Sequence, residues 1–174
     1  MAEFKNRVTY RGQPVTLEGE QEVKEGDIAP DFTVYKGLNA SDAVHLSDVK
    51  GNVVVLSVSP SVDTKVCAIQ LRTFNKQATE MGPGVKVWYV SLDLPFALNR
   101  FSAAEGINHV SVLSDYKDRE FARKYGVYMK ELGLLARSTF VVDRDGKVVF
   151  REIVPEMTHE PDYDAALEAV RKAL

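Results

Sequence analysis

Cys67 is the only thiol in the 174-residue chain. It follows a polar turn, Ser59-Pro60-Ser61-Val62-Asp63-Thr64-Lys65, which joins a β-branched run to a stretch with helical periodicity. In an open α/β sheet, ligands gather at the carboxyl ends of strands, where such a run would deliver this cysteine. The first turn of a helix offers unpaired N–H groups and the positive end of the helix dipole. Both favour thiolate over thiol. That matters because a free thiol is only about 3% ionised at pH 7. The alternative reading is a buried helix cysteine acting as a small hydrophobe; the polar turn and the position so near the helix start weigh against it. A lone cysteine excludes an intramolecular disulfide and a cysteine-rich metal site. His45, His109 and His159 lie far apart and read as surface or structural residues. Neither a GxGxxG nor a P-loop is present.

The elements that must position Cys67 follow from the pattern. Residues 7–17 read as a hairpin turning at Gly12-Gln13-Pro14, and Phe32–Tyr35 is a short extended stretch. Asn52–Ser59 has no polar alternation, which predicts a central strand buried on both faces. A helix is expected over Thr64–Met81, with Val66, Ile69, Leu71, Phe74 and Ala78 on one face, ended by Gly82-Pro83-Gly84. Val85–Leu92 and Val110–Leu113 are further strands; Trp88 belongs to the core. Pro95–Glu105 and Asp118–Tyr125 are helices closed by Gly106 and Gly126. Ser138–Val142 and Lys147–Ile153 flank Asp143-Arg144-Asp145-Gly146, a hairpin signal. Asp162–Leu174 is a last helix. The order predicts one α/β domain over 1–174, a mixed central sheet flanked by helices, with an N-terminal hairpin over 1–18.

Composition sets limits. Apolar residues make up 45%, charged residues 27%, and net charge is −3. No basic footprint points to nucleic acid. The longest apolar runs fall far short of a membrane span. Met1-Ala2-Glu3-Phe4-Lys5 is no signal peptide, so a cytoplasmic location is expected.

Pro60-Ser61-Val62-Asp63-Thr64-Lys65-Val66-Cys67 matches the Pro-x-x-x-Thr-x-x-Cys signature of peroxiredoxins, and within them closely resembles the thiol peroxidases, an atypical two-cysteine group. Gly12-Gln13-Pro14-Val15-Thr16, Ala29-Pro30-Asp31-Phe32, Asp93-Leu94-Pro95-Phe96-Ala97, Arg100-Phe101, Leu134-Leu135-Ala136-Arg137-Ser138 and Glu160-Pro161-Asp162-Tyr163 extend the resemblance along almost the whole chain. It implies a thioredoxin-like fold and a peroxidase of hydrogen peroxide and organic hydroperoxides. The peroxidatic residue would be Cys67, whose thiolate attacks one peroxide oxygen and becomes a sulfenic acid. Thr64 would aim its hydroxyl at the thiolate and the peroxide, or cap the helix, or both. Pro60 would shape and dry the pocket, and Arg137 would supply the guanidinium. The Cys67 N–H would join Arg137 and Thr64 in facing the oxygens. Phe96 and Phe101 are candidates for the pocket wall or for the core. No cofactor is implied. Thioredoxin as reductant and a homodimer are.

The chain departs from the family pattern at Ser102, where thiol peroxidases usually carry a resolving cysteine. Two origins are open: a Cys→Ser replacement that blocks disulfide formation, or a natural one-cysteine member whose sulfenate an external thiol reduces. The competing functions are another thiol-dependent redox activity on the same fold, such as a glutathione-dependent peroxidase or a peptide-methionine-type reductase, and a peroxide sensor or holdase-like binding protein without efficient turnover.

Overall fold

The computed structural model describes all residues, Met1–Leu174. A seven-stranded mixed sheet forms its centre. The strands are β3 (Thr33–Tyr35), β4 (Ala43–His45), β5 (Val53–Val58), β6 (Val85–Ser91), β7 (Ser111–Ser114), β10 (Ser138–Val142) and β11 (Val148–Ile153), in the order β11-β10-β5-β6-β7-β3-β4. β5, β6 and β7 run parallel; β10, β11, β3 and β4 add antiparallel edges. A second sheet, β1-β2-β8-β9, is built from the N-terminal hairpin, β1 (Ala2–Tyr10) and β2 (Gln13–Gly19), and two short strands, β8 (Tyr128–Met129) and β9 (Leu134–Leu135).

β5 is buried along its whole length, as its composition predicts. Its alternation divides the core. Val53 and Val55 face α1 (Lys65–Met81), α2 (Pro95–Glu105) and α4 (Tyr163–Ala173) through Leu71, Phe74, Leu98 and Val170. Val54, Leu56 and Val58 face α3 (Glu120–Tyr125) and the second sheet through Phe121, Tyr125, Leu17 and Met129. Trp88 lies in this second core. Helices therefore cover both faces, as expected. None is long and apolar enough to cross a membrane.

Several boundaries differ from the sequence expectation. The hairpin spans Ala2–Gly19, and its turn is Arg11-Gly12, both at positive φ (49° and 80°), one residue earlier than expected. Pro14 fits inside β2 because the facing Thr9 carbonyl accepts from the Met157 N–H, and so needs no donor from the proline; the Thr9 N–H likewise turns away, to the Pro155 carbonyl. The third helix starts at Glu120 because Arg119 is left-handed, with φ at 50°. The buried face of α1 is rotated: Cys67, Gln70, Leu71 and Phe74 point inward, while Val66 and Ile69 are half-buried. β4, β8 and β9 have two or three residues each, too few for a period to register.

The start of α3 is fastened by Asp115, buried at the end of β7, whose carboxylate accepts from the Phe121 and Ala122 N–H groups at 3.0 and 2.9 Å. Burial pushes this carboxyl up to about 7, against the pull of those two donors. The folded chain therefore keeps a proton that the unfolded chain releases near pH 4. Stability falls as pH rises from about 4 to about 7 and is flat in this respect above, a change of up to roughly 4 kcal/mol. Urea unfolding across that range should show the slope, and Asp115→Asn should flatten it.

Candidate active site

β5 ends at Val58, and Pro60 turns the chain out of the sheet. Within the turn, the Thr64 N–H and hydroxyl both donate to the Ser61 carbonyl, each at 3.2 Å. The Thr64 hydroxyl oxygen in turn accepts from the Cys67 N–H at 3.2 Å, so Thr64 is the N-cap of α1 and Cys67 lies in its first turn. Of the two roles expected of Thr64, this geometry supplies the cap: its hydroxyl donates to the Ser61 carbonyl and accepts from the Cys67 N–H, while the residue also lines the cavity beside Arg137.

Arg137 arrives from far along the chain by strand register. β10 pairs antiparallel with β5, Ser138 opposite Val58, so the preceding residue lies beside the Ser59–Pro60 turn. The side chain is 2% exposed, and Cys67 is 0% exposed. Arg137 Nη1 donates to Cys67 Sγ at 3.2 Å and to Gln70 Oε1 at 2.8 Å. Nε and Nη2 donate to the Met157 carbonyl at 3.1 and 2.7 Å. Gln70 is oriented in turn, its amide nitrogen donating to Ser57 Oγ at 2.8 Å and to the Val58 carbonyl at 3.1 Å.

No carboxylate pairs with Arg137; the ion pairs of the molecule lie elsewhere. A buried guanidinium among uncharged acceptors is costly unless an anion accompanies it. The sulfur of Cys67, as thiolate, is the one group in contact that can carry that charge. Nearby, the Ser59 and Tyr89 hydroxyls are hydrogen-bonded, and burial holds the Tyr89 phenol well above its ordinary value, so it stays neutral.

Above the pair lies a cavity of about 350 Å³, bounded by Pro60, Thr64, Val66, Leu134, Arg137 and Met157, with Tyr10 and Arg11 of the hairpin tip at its rim. Cys67 contributes no surface to it. The larger groove of about 690 Å³ between α4 and the β10–β11 turn holds no thiol. Phe96, 62% exposed, and Phe101, packed on the α1 side of the core, do not line the cavity beside Cys67.

Glu156 ties this region together. Its carboxylate accepts from the Thr9 hydroxyl at 2.9 Å and the Gly12 N–H at 2.8 Å on the hairpin, and from the Thr158 hydroxyl at 2.6 Å and N–H at 2.9 Å. Donation from Thr158, then from Gly12, holds the carboxyl well below its usual range.

The structure thus brings together Cys67, Thr64, Pro60 and Arg137. Ser102 stands apart on α2, its hydroxyl donating to the Ile107 carbonyl at 2.9 Å. Sequence reasoning missed Gln70 and Met157. A glutamine three residues after Cys67, on the buried face of α1, was the available signal for the first. Met157 acts chiefly through its backbone carbonyl and left none.

The family model described as Redoxin matches residues 24–167. The thiol peroxidase of Bacillus subtilis (strain 168) is 51% identical over 164 residues, covering 94% of this chain and 96% of that protein. The chain belongs to the thiol peroxidase family of redoxins. A second family member, the thiol peroxidase of Oceanobacillus iheyensis, is 47% identical over 167 residues, covering 96% of this chain and 99% of its own. Among solved structures, a peroxiredoxin-like protein from Aquifex aeolicus superposes with a TM-score of 0.88 at 40% identity, over 98% of this chain and 99% of that one. The mixed sheet with flanking helices is the thioredoxin-like arrangement of peroxiredoxins. This family member is a thiol-dependent peroxidase.

Proposed function

We propose that Cys67 is the peroxidatic residue of this peroxidase. The single observation that carries the reading is the 3.2 Å contact between Arg137 Nη1 and Cys67 Sγ, made by a guanidinium with no carboxylate partner. The thiolate attacks one peroxide oxygen, the S–O bond forms as the O–O bond breaks, and the departing oxygen leaves as water or alcohol after taking a proton. Arg137 faces the sulfur and meets the charge as it moves to the departing oxygen. Thr64 holds the first turn of α1, and Pro60 walls the cavity. The apolar wall of Val66, Leu134 and Met157 suits organic hydroperoxides alongside hydrogen peroxide.

The family resemblance supports reduction of the sulfenate by a thioredoxin-type thiol, with Ser102 at the resolving-cysteine position, and a cytoplasmic homodimer. A single domain over 1–174 suits the continuous central sheet.

The test is stopped-flow mixing of the reduced protein with one equivalent of cumene hydroperoxide, following sulfenate formation. Rates far above those of a free thiolate are expected; rates no better would favour the sensor reading. A Ser102→Cys variant should gain peroxide turnover with thioredoxin over turnover with glutathione, read as reductant consumption. A preference for glutathione would turn the reductant assignment around.

A further inference from the structure

The turn that carries Thr64 is held by one carboxylate. Asp93 follows the end of β6, and its Oδ1 accepts from the Ser61 hydroxyl at 2.7 Å. Its Oδ2 accepts from the Val62 N–H at 2.9 Å and from the Ser91 hydroxyl at 2.7 Å. Across Ser61–Thr64, these are the only hydrogen bonds to residues outside the turn and α1. Asp93 is itself anchored, its N–H donating to Ser91 Oγ at 3.2 Å and its carbonyl accepting from the Ser114 hydroxyl. Asp93 is therefore linked to the Cys67 N–H by way of Ser61, whose hydroxyl donates to Asp93 while its carbonyl accepts from the Thr64 hydroxyl that caps Cys67.

Two demands on Cys67 conflict. Attack on peroxide needs the sulfur held against Arg137. Reduction of the sulfenate needs a second sulfur, carried on a molecule bulkier than a hydroperoxide group, to reach a residue with no exposed surface. The turn must come away between the two steps, and what it must release is Asp93.

We propose that Asp93 is a positioning residue, a latch that holds the Ser61–Thr64 turn closed for peroxide attack and whose release admits the reducing thiol. The proposal rests on the reading of Cys67 as the peroxidatic residue. It makes opposite predictions for two fates of the sulfenate. A second hydroperoxide converts it to sulfinate, forming a second S–O bond and releasing alcohol, which needs the closed site. A thiol such as dithiothreitol converts it to a mixed disulfide and water, which needs the open one.

The experiment oxidises wild type, Asp93→Asn and Ser61→Ala with cumene hydroperoxide at fixed dithiothreitol, and reads the ratio of sulfinate to thiol-reduced protein by intact mass. The initial oxidation rate of each is measured in parallel by stopped flow. Loss of a charge-assisted hydrogen bond predicts a roughly tenfold slower first oxidation and a roughly tenfold lower ratio for Asp93→Asn. Ser61→Ala, which removes one arm of the latch, should shift both in the same direction by less. A merely structural role lowers the folded fraction and reduces both fates alike, leaving the ratio unmoved. A wild-type ratio in both variants, with fast wild-type oxidation, overturns the latch. Wild-type oxidation no faster than a free thiolate overturns the latch together with the reading beneath it.

Discussion

Arg137→Ala should slow peroxide reduction by roughly a hundred- to a thousandfold, the usual cost of removing one donor aimed at developing charge. Ionisation cannot account for a loss of that size. Raising a thiol from about 3% thiolate to full ionisation is worth at most about thirtyfold, and nucleophilicity declines as the thiolate becomes easier to form. The remainder belongs to the transition state, where charge passes from sulfur to oxygen beside Nη1. The check is a stopped-flow rate set against the thiolate fraction read from its ultraviolet absorbance: the rate should fall far more than the fraction. The variant also leaves Gln70 Oε1 and the Met157 carbonyl without their donor. That costs about 1–3 kcal/mol for each group, offset in part because a buried cation is removed. Arg137→Lys keeps the charge and loses the fork that serves Met157 and Cys67 together, so it should fall between alanine and wild type. An unchanged rate in the alanine variant would remove Arg137 from the chemistry.

Thr64→Val should slow the same step by roughly ten- to a hundredfold. Valine matches threonine in shape but supplies no acceptor to the Cys67 N–H and no donor to the Ser61 carbonyl. The loss of the cap costs about 1 kcal/mol of stability. The larger effect is on placement, because a reacting atom displaced by about 1 Å can lose two orders of magnitude in rate. Thr64→Ser keeps both bonds and should restore most of the rate. Stopped-flow rates and urea unfolding of the two variants separate placement from stability. A valine variant at wild-type speed would show that the cap has no catalytic consequence.

The legible parts of the molecule were those set by neighbours in sequence. β5 announced itself as a β-branched run, α1 by its period, and the β10–β11 turn by Asp145-Gly146, in a loop where the Asp143 carboxylate accepts from the Asp145 and Lys147 N–H groups. Cys67 was visible from its place after that strand. Arg137 was reached through the resemblance alone, because its meeting with Cys67 depends on the pairing of β10 with β5, a long-range register. The inward turn of Gln70 was hidden by an assumption that the apolar residues of α1 define its buried face. Thr64 was legible as a cap from its place before the helix; its bond to the Ser61 carbonyl was not, because the turn that brings the two together does not show in the spacing. Asp93 was quoted as part of a segment, yet its three donors come together only when β6 brings its end beside the turn.

The carboxylate of Glu156 grips the hairpin tip on one side and the Met157–Thr158 backbone on the other, and Met157 in turn seats the guanidinium. The first nineteen residues are therefore no detachable appendage. A trimmed chain that began after β2 would keep its parallel strands and its nucleophile while the scaffold behind Arg137 lost its outer brace. Peroxide reduction is therefore expected to weaken on trimming, although the hairpin makes no hydrogen bond to Cys67 and meets the cavity only through Tyr10 and Arg11.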